Sequence, residues 1–130
     1  MSQLIVDGMN VIGSRPDGWW RDRHGAVRAL LTRLQRLHAT SGEAVQVVLD
    51  GRPLPDIPEG EHDGVDVRYA KRRGADAADD RIVELLSGQE HPERFQVVTA
   101  DRVLVQRVHA LGADALGPST LLHRLDALDG

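Results

Sequence analysis

Short apolar runs and longer helical stripes alternate along this chain. Leu4-Ile5-Val6 ends in Asp7-Gly8, and Ala44-Val45-Gln46-Val47-Val48-Leu49 ends in Asp50-Gly51. Val65-Asp66-Val67-Arg68-Tyr69-Ala70 alternates, and Phe95-Gln96-Val97-Val98 runs into Thr99-Ala100-Asp101. Brief runs rich in β-branched residues and closed by turn residues predict buried strands. A weaker fifth segment lies at Ala113-Asp114-Ala115-Leu116. Between them, Val27, Leu30, Leu31, Leu34 and Leu37 recur at helical spacing, with a stop at Ser41-Gly42. Ala78, Ile82, Leu85 and Leu86 mark a second helix, Leu104, Val108 and Leu111 a third, and Leu121, Leu122, Leu125 and Leu128 a fourth. The stretches from Gly13 to Asp22 and from Gly51 to Gly64, the latter with Pro53, Pro55 and Pro58, are expected as loops. Ser119-Thr120, after Gly117-Pro118, is expected to cap the last helix.

The order β-α-β-β-α-β-α-β-α predicts an α/β fold, a three-layer α/β/α arrangement with a mainly parallel central sheet. A length of 130 residues suits one domain spanning 1–130. Aromatics are only 3%, so the core is expected to be aliphatic.

Composition removes several classes. Without cysteine there is no disulfide, thiol nucleophile or cysteine-held metal. No apolar run approaches the about 20 residues of a membrane-spanning helix. The first residues lack the basic and apolar regions of a signal peptide and read as the first strand, so a cytoplasmic location is expected. The net charge of −4 does not speak against nucleic acid, because a local basic patch is what matters. Gly8 and Gly13 have P-loop spacing, but Ser14-Arg15 stands where Lys-Ser/Thr is needed. There is no G-x-G-x-x-G and no H-E-x-x-H, and the six histidines are scattered.

The aspartates carry the chemistry. Ligands of open parallel α/β sheets bind at the carboxyl ends of the strands. Asp7 and Asp50 close two strands, Asp101 follows another, and Asp76, Asp79 and Asp80 open a helix, so all fall at one edge. Carboxylates gathered this way raise one another's pKa unless a cation fills the site. Hard divalent cations take such oxygen ligands. Each acid also has a plain reading: Asp76 and Asp101 as helix caps, Asp50-Gly51 as a turn. Asp7 is the exception, because the next predicted helix begins well after it. Asn10, three residues on, is suited to orient a water, a phosphate or Asp7, or equally to form a turn.

Taken together, Leu4–Ile12 with Asp7-Gly8-Met9-Asn10, Val47–Gly51, Ala78-Asp79-Asp80-Arg81-Ile82 and Val97–Arg102 resemble a NYN domain of the YacP-like type, within the PIN-like nuclease superfamily. Any one motif is weak; the four in order are fairly specific. Met9 departs from the aromatic often found before the Asn. The resemblance implies a metal-dependent endoribonuclease using Mg²⁺ or Mn²⁺. It implies catalytic roles for Asp7, Asn10, Asp79 and Asp101, and metal ligation by Asp7, Asp79 and Asp101 with Asp76 and Asp80 as unranked neighbours. Asp50 and Thr99 are candidate supporting residues. The chemistry implied is attack of a metal-activated water on a phosphodiester, leaving a 5′-phosphate and a 3′-hydroxyl. The implied partner is RNA (mRNA, tRNA or rRNA), free or on the ribosome.

Arg68, Lys71, Arg72 and Arg73 place four cations in six positions beside the acidic helix, and Arg102 follows Asp101. These are candidate phosphate contacts, against the commoner reading of a solvated charge run. Trp19-Trp20 with Arg15, Arg21 and Arg23 would either stack on single-stranded RNA or pack the loop onto the sheet, the reading preferred from sequence. A non-catalytic RNA- or ribosome-binding module on the same fold is the main competing function. A receiver-type phosphoacceptor module ranks last, because Ala70-Lys71 ends the third strand where a lone acceptor Asp is needed.

Overall fold

The structure, a computed structural model, describes residues 3–71, 74 and 76–129. The strands are β1 (Gln3–Asp7), β2 (Ala44–Leu49), β3 (Gly60–His62), β4 (Val65–Tyr69), β5 (Phe95–Val98) and β6 (Asp114–Leu116). They form one sheet in the order β3-β4-β2-β1-β5-β6, parallel throughout except for β3 against β4. The helices are α1 (Gly8–Gly13), α2 (Arg23–Ser41), α3 (Ala77–Ser87), α4 (Arg102–Ala110) and α5 (Pro118–Asp129). No helix among the described residues is long and apolar enough to cross a membrane.

Strand alternation divides the core. Leu4, Val6, Val47 and Leu49 face one side, where Val11 and Ile12 of α1, Leu30, Leu34 and Leu37 of α2, and Leu121, Leu122 and Leu125 of α5 cover them. Ile5, Val48 and Val97 face the other, against Ala78, Ile82 and Leu86 of α3 and Leu104 and Val108 of α4. The three-layer arrangement follows, since strands buried on both faces need helices on both.

Three local expectations are corrected. A helix, α1, starts directly after β1, so the sharp turn at Asp7-Gly8 leads straight into helix and Asp7 occupies its N-cap position. Gly8 permits this: a Cβ there would stand 2.6 Å from Leu49 Cδ2 and 3.1 Å from the Val48 carbonyl. The second expected loop is also not all loop, because β3 pairs with β4 through the two-residue turn Asp63-Gly64, with φ of 48° and 90°. Positive φ at both positions suits the Asp-Gly pair and matches the strand twist. Finally, α5 begins at Pro118, so Ser119 and Thr120 lie inside its first turn rather than before it. The expected stop of α2 holds, with Gly42 at φ 75° returning its N–H to the His38 carbonyl.

Candidate active site

The parallel strands deliver their carboxyl ends to one edge, and the acids collect there. Asp7 ends β1 and is only 5% exposed. Although it stands at an N-cap position, its side chain makes no cap bond. Its Oδ2 instead accepts from the Thr99 hydroxyl at 2.9 Å. Thr99 is buried one residue past β5, and its Oγ1 also accepts from the Asp101 N–H at 3.1 Å. One hydroxyl therefore joins two of the acids. Burial pushes the Asp7 carboxyl up to about 6; the Thr99 hydroxyl pulls against this, while the charges of Asp101 and Asp50 add to it.

Asp101 caps α4, its Oδ1 accepting from the Val103 and Leu104 N–H groups. The cap reading is thus correct for this residue, and Oδ2 makes no bond among the described residues. Asn10, on α1, spends its Oδ1 on the Ala100 N–H at 2.9 Å, bracing the β5–α4 turn against α1.

Asp79 lies in the first turn of α3 and is 7% exposed. No hydrogen bond or ion pair reaches its carboxylate among the described residues. Burial pushes it up to about 7, reinforced by the charges of Asp101, Asp7 and Asp76 and opposed by Arg107. Its two acidic neighbours behave differently. Asp80 is exposed and paired with Arg107 of α4 at 2.9 Å. Asp76 is exposed and makes no cap bond. The helix spacing that grouped the three aspartates therefore separates into one inward and two outward carboxylates. Asp50 is held by Arg23, whose Nη2 donates to its carbonyl at 2.7 Å and to its Oδ1 at 2.9 Å.

The basic stretch is less free than its composition suggests. Arg68 pairs with Asp66 at 3.0 Å and Lys71 with Glu84 at 2.6 Å. Arg72 and Arg73 lie outside the described residues. Arg102 is exposed and without an ion pair among the described residues. Sequence reasoning missed Arg107: its tie to Asp80 crosses from α4 to α3, and no spacing within either helix signals it.

All site donors are carboxylate, amide or hydroxyl oxygens, the set a hard divalent cation prefers. Among the described residues no group of three or more His, Cys, Asp or Glu is drawn close enough to hold an ion. The donors fit such an ion in kind, because Mg²⁺ takes only one or two carboxylates, with waters and phosphate completing its shell. A buried Asp79 carboxylate with no hydrogen bond or ion pair among the described residues, and within electrostatic reach of Asp7 and Asp101, is a group whose ionised form calls for a cation.

The chain is a NYN domain of the PIN-like, nuclease-type class, with its carboxylates at the carboxyl edge of a six-stranded α/β/α sheet. The chain belongs to the YacP-like NYN domain family, whose model matches residues 4–129. Its fold is similar to that of Rae1 (YacP) from Bacillus subtilis, with a TM-score of 0.83 at 24% identity over 99% of this chain and 76% of that one. A tryptophan-to-leucine mutant of Rae1 gives 0.80 at 22% identity over 99% and 77%. At such identities the likeness concerns the fold. No curated protein matches the chain.

Proposed function

We propose that this chain is a cytoplasmic, metal-dependent endoribonuclease that hydrolyses RNA phosphodiester bonds with Mg²⁺ or Mn²⁺. The observation that carries the reading is the buried Asp79 carboxylate, without a hydrogen bond or ion pair among the described residues and raised by the charges of Asp101 and Asp7. Asp7, Asp79 and Asp101 would hold the ion. When bound, it would polarise a phosphoryl oxygen and lower the pKa of an attacking water.

The chain's own groups set up the rest. Thr99 fixes the Asp7 carboxylate, and Asn10 braces the turn that carries Asp101. Arg102, exposed next to Asp101, would meet a backbone phosphate. Asp76 contributes negative charge from outside, and Asp80 acts through Arg107 to tie α3 to α4.

Thermal unfolding at matched ionic strength in Mn²⁺, Mg²⁺ or Na⁺ tests the site without knowledge of the substrate. A ligand that binds only the folded state raises its stability by mass action. Mn²⁺ is expected to raise the Tm of the parent and not that of Asp79→Asn. Cleavage of RNA, either free or on the ribosome, is expected for the parent and absent from Asp79→Asn. Full cleavage by Asp79→Asn would overturn the reading.

One observation favours a second reading, a non-catalytic RNA- or ribosome-binding module: the acids are not drawn into a ready ligand trio among the described residues. Undiminished RNA affinity after Asp7, Asp79 and Asp101 are all changed to Asn, with no cleavage of any RNA by the parent, would establish it.

A further inference from the structure

Two large apolar side chains are conspicuously exposed among the described residues, Trp20 at 57% and Val103 at 62%. Both belong to elements at the carboxyl edge of the sheet. Val103 is in the first turn of α4, two residues from Asp101. Trp20 is in a single 3₁₀ turn, Trp19–Arg21, immediately before α2. In a chain with four aromatic residues, leaving one of two tryptophans in water forgoes much of the available aromatic burial.

The turn holds Trp20 in place. Trp19 is half-buried against the core and walls a cleft of about 280 Å³. Trp20 meets it edge-on, with ring centroids 6.1 Å apart and planes at 86°. Gly18, at φ 82°, opens the turn, and Asp17 accepts from the Trp19 N–H. The two tryptophans thus divide the roles that the sequence left as alternatives. One anchors the loop; the other presents a face to solvent.

The loop is also fixed to the acid edge. Arg23 reaches the carbonyl and carboxylate of Asp50, which follows the strand paired with β1. Gly51, at φ 83°, leaves room for that guanidinium, which stands 2.9 Å from where a Cβ would be. Arg21, next to Trp20 in the chain, and Arg52, next to the Gly51 that packs against Arg23, are exposed and have no ion pair or side-chain hydrogen bond among the described residues. By contrast Arg15, Arg33, Arg68 and Arg107 are each tied to a carboxylate.

We propose that Trp20 is a stacking platform for an unpaired base of the RNA, with Arg21 and Arg52 holding the flanking phosphates. The strand then crosses the acid centre towards Arg102 and Val103. This rests on the RNA reading above. A free aromatic face with cations beside it is the arrangement that holds single strands without sequence preference. A duplex offers no open base face to such a ring.

The test is fluorescence anisotropy with a short, labelled single-stranded oligoadenylate and a duplex RNA of the same length, in a chelator so that nothing is cleaved. Trp20→Ala is expected to weaken single-strand binding between about 5-fold and about 150-fold. Trp20→Phe is expected to retain most of the affinity, and duplex binding to be unmoved by either change. The Arg21→Ala/Arg52→Ala variant is expected to flatten the dependence of log Kd on log salt by about 1.4, about 0.7 for each phosphate. Unchanged Tm values would show that the exposed substitutions leave the fold intact. If the parent binds the single strand and Trp20→Ala binds it equally well, the platform is wrong and the RNA reading stands. Equal weakening of single strand and duplex would also overturn the platform. If the parent binds neither RNA, both ideas fall together.

Discussion

The Thr99 hydroxyl donates to Asp7 Oδ2 at 2.9 Å while accepting from the Asp101 N–H, so one buried side chain joins positions far apart in sequence. Its donor bond favours the ionised form of Asp7, so removing it should push that carboxyl above its present value of about 6. Thr99→Val keeps the shape and deletes the hydroxyl. The buried carboxylate then loses a partner, which costs about 1–3 kcal/mol. The loss should grow with pH, as Asp7 ionises. Urea unfolding at pH 5 and pH 8 measures it, and Thr99→Ser should recover most of it. Equal losses at the two pH values would refute the argument.

Asp79 and Asp7 sit near 7 and 6, both raised from an ordinary value of 3.8. A carboxyl whose folded pKa is raised favours folding when protonated. That contribution is fully present below pH of about 4 and is lost as pH climbs through 6 to 7. Without metal, the parent should therefore lose stability across this range. Asp79→Asn should flatten the decline, being on the order of 2 kcal/mol more stable than the parent at pH 8 and equal to it near pH 4. Saturating Mn²⁺ should reverse the order at pH 8 by stabilising only the parent. A parent whose metal-free stability rises between pH 4 and pH 8 would contradict this account.

Gly8 carries α1 across the face of β2 with no room for a methyl group. A Cβ at 2.6 Å from Leu49 Cδ2 requires that buried side chain to shift, and the Val48 carbonyl at 3.1 Å limits how the backbone gives way. Gly8→Ala should cost about 1–3 kcal/mol through overpacking. Leu49→Val in the same chain should return part of this, a coupling that a double-mutant cycle would resolve. Because Gly8 adjoins Asp7, cleavage should fall with stability. A cycle with no coupling would show that Leu49 is not what resists the methyl.

The elements with long periodic patterns are legible in the sequence: the leucine stripe of α2, the β-branched runs of β1, β2 and β5, and the return of acids to one edge. What escaped was short. Six residues of α1 carry too little periodicity to announce a helix, so the sequence pattern alone sets Asp7 far from one. The β3–β4 hairpin did have a signal, the Asp63-Gly64 pair, hidden within a proline-rich acidic stretch. Helical spacing correctly placed Asp76, Asp79 and Asp80 on one helix end. The apolar stripe carries the rest of the signal: Asp79 precedes Ile82 and Leu86 by three and seven residues and so shares their buried face, whereas Asp80 leaves it and pairs with Arg107. Trp19 and Trp20 show a limit: adjacency in sequence says nothing about which ring the core will take.

Asp101 performs two jobs that a pair of substitutions can separate. Its Oδ1 caps α4 through the Val103 and Leu104 N–H groups, and its charge raises both Asp7 and Asp79. Asparagine caps a helix about as well as aspartate, whereas alanine gives up about 1 kcal/mol. Asp101→Asn should thus leave Tm in metal-free buffer equal to or above that of the parent, and Asp101→Ala should lower it. Both should lose the Mn²⁺-induced rise in Tm and the cleavage of RNA. In Asp101→Asn the carboxyls of Asp7 and Asp79 should titrate lower than in the parent, which carbon-detected NMR can follow residue by residue. If Asp101→Asn keeps the metal response and cleaves at the parent's rate, Asp101 is a helix cap alone, and the ion is left to Asp7 and Asp79.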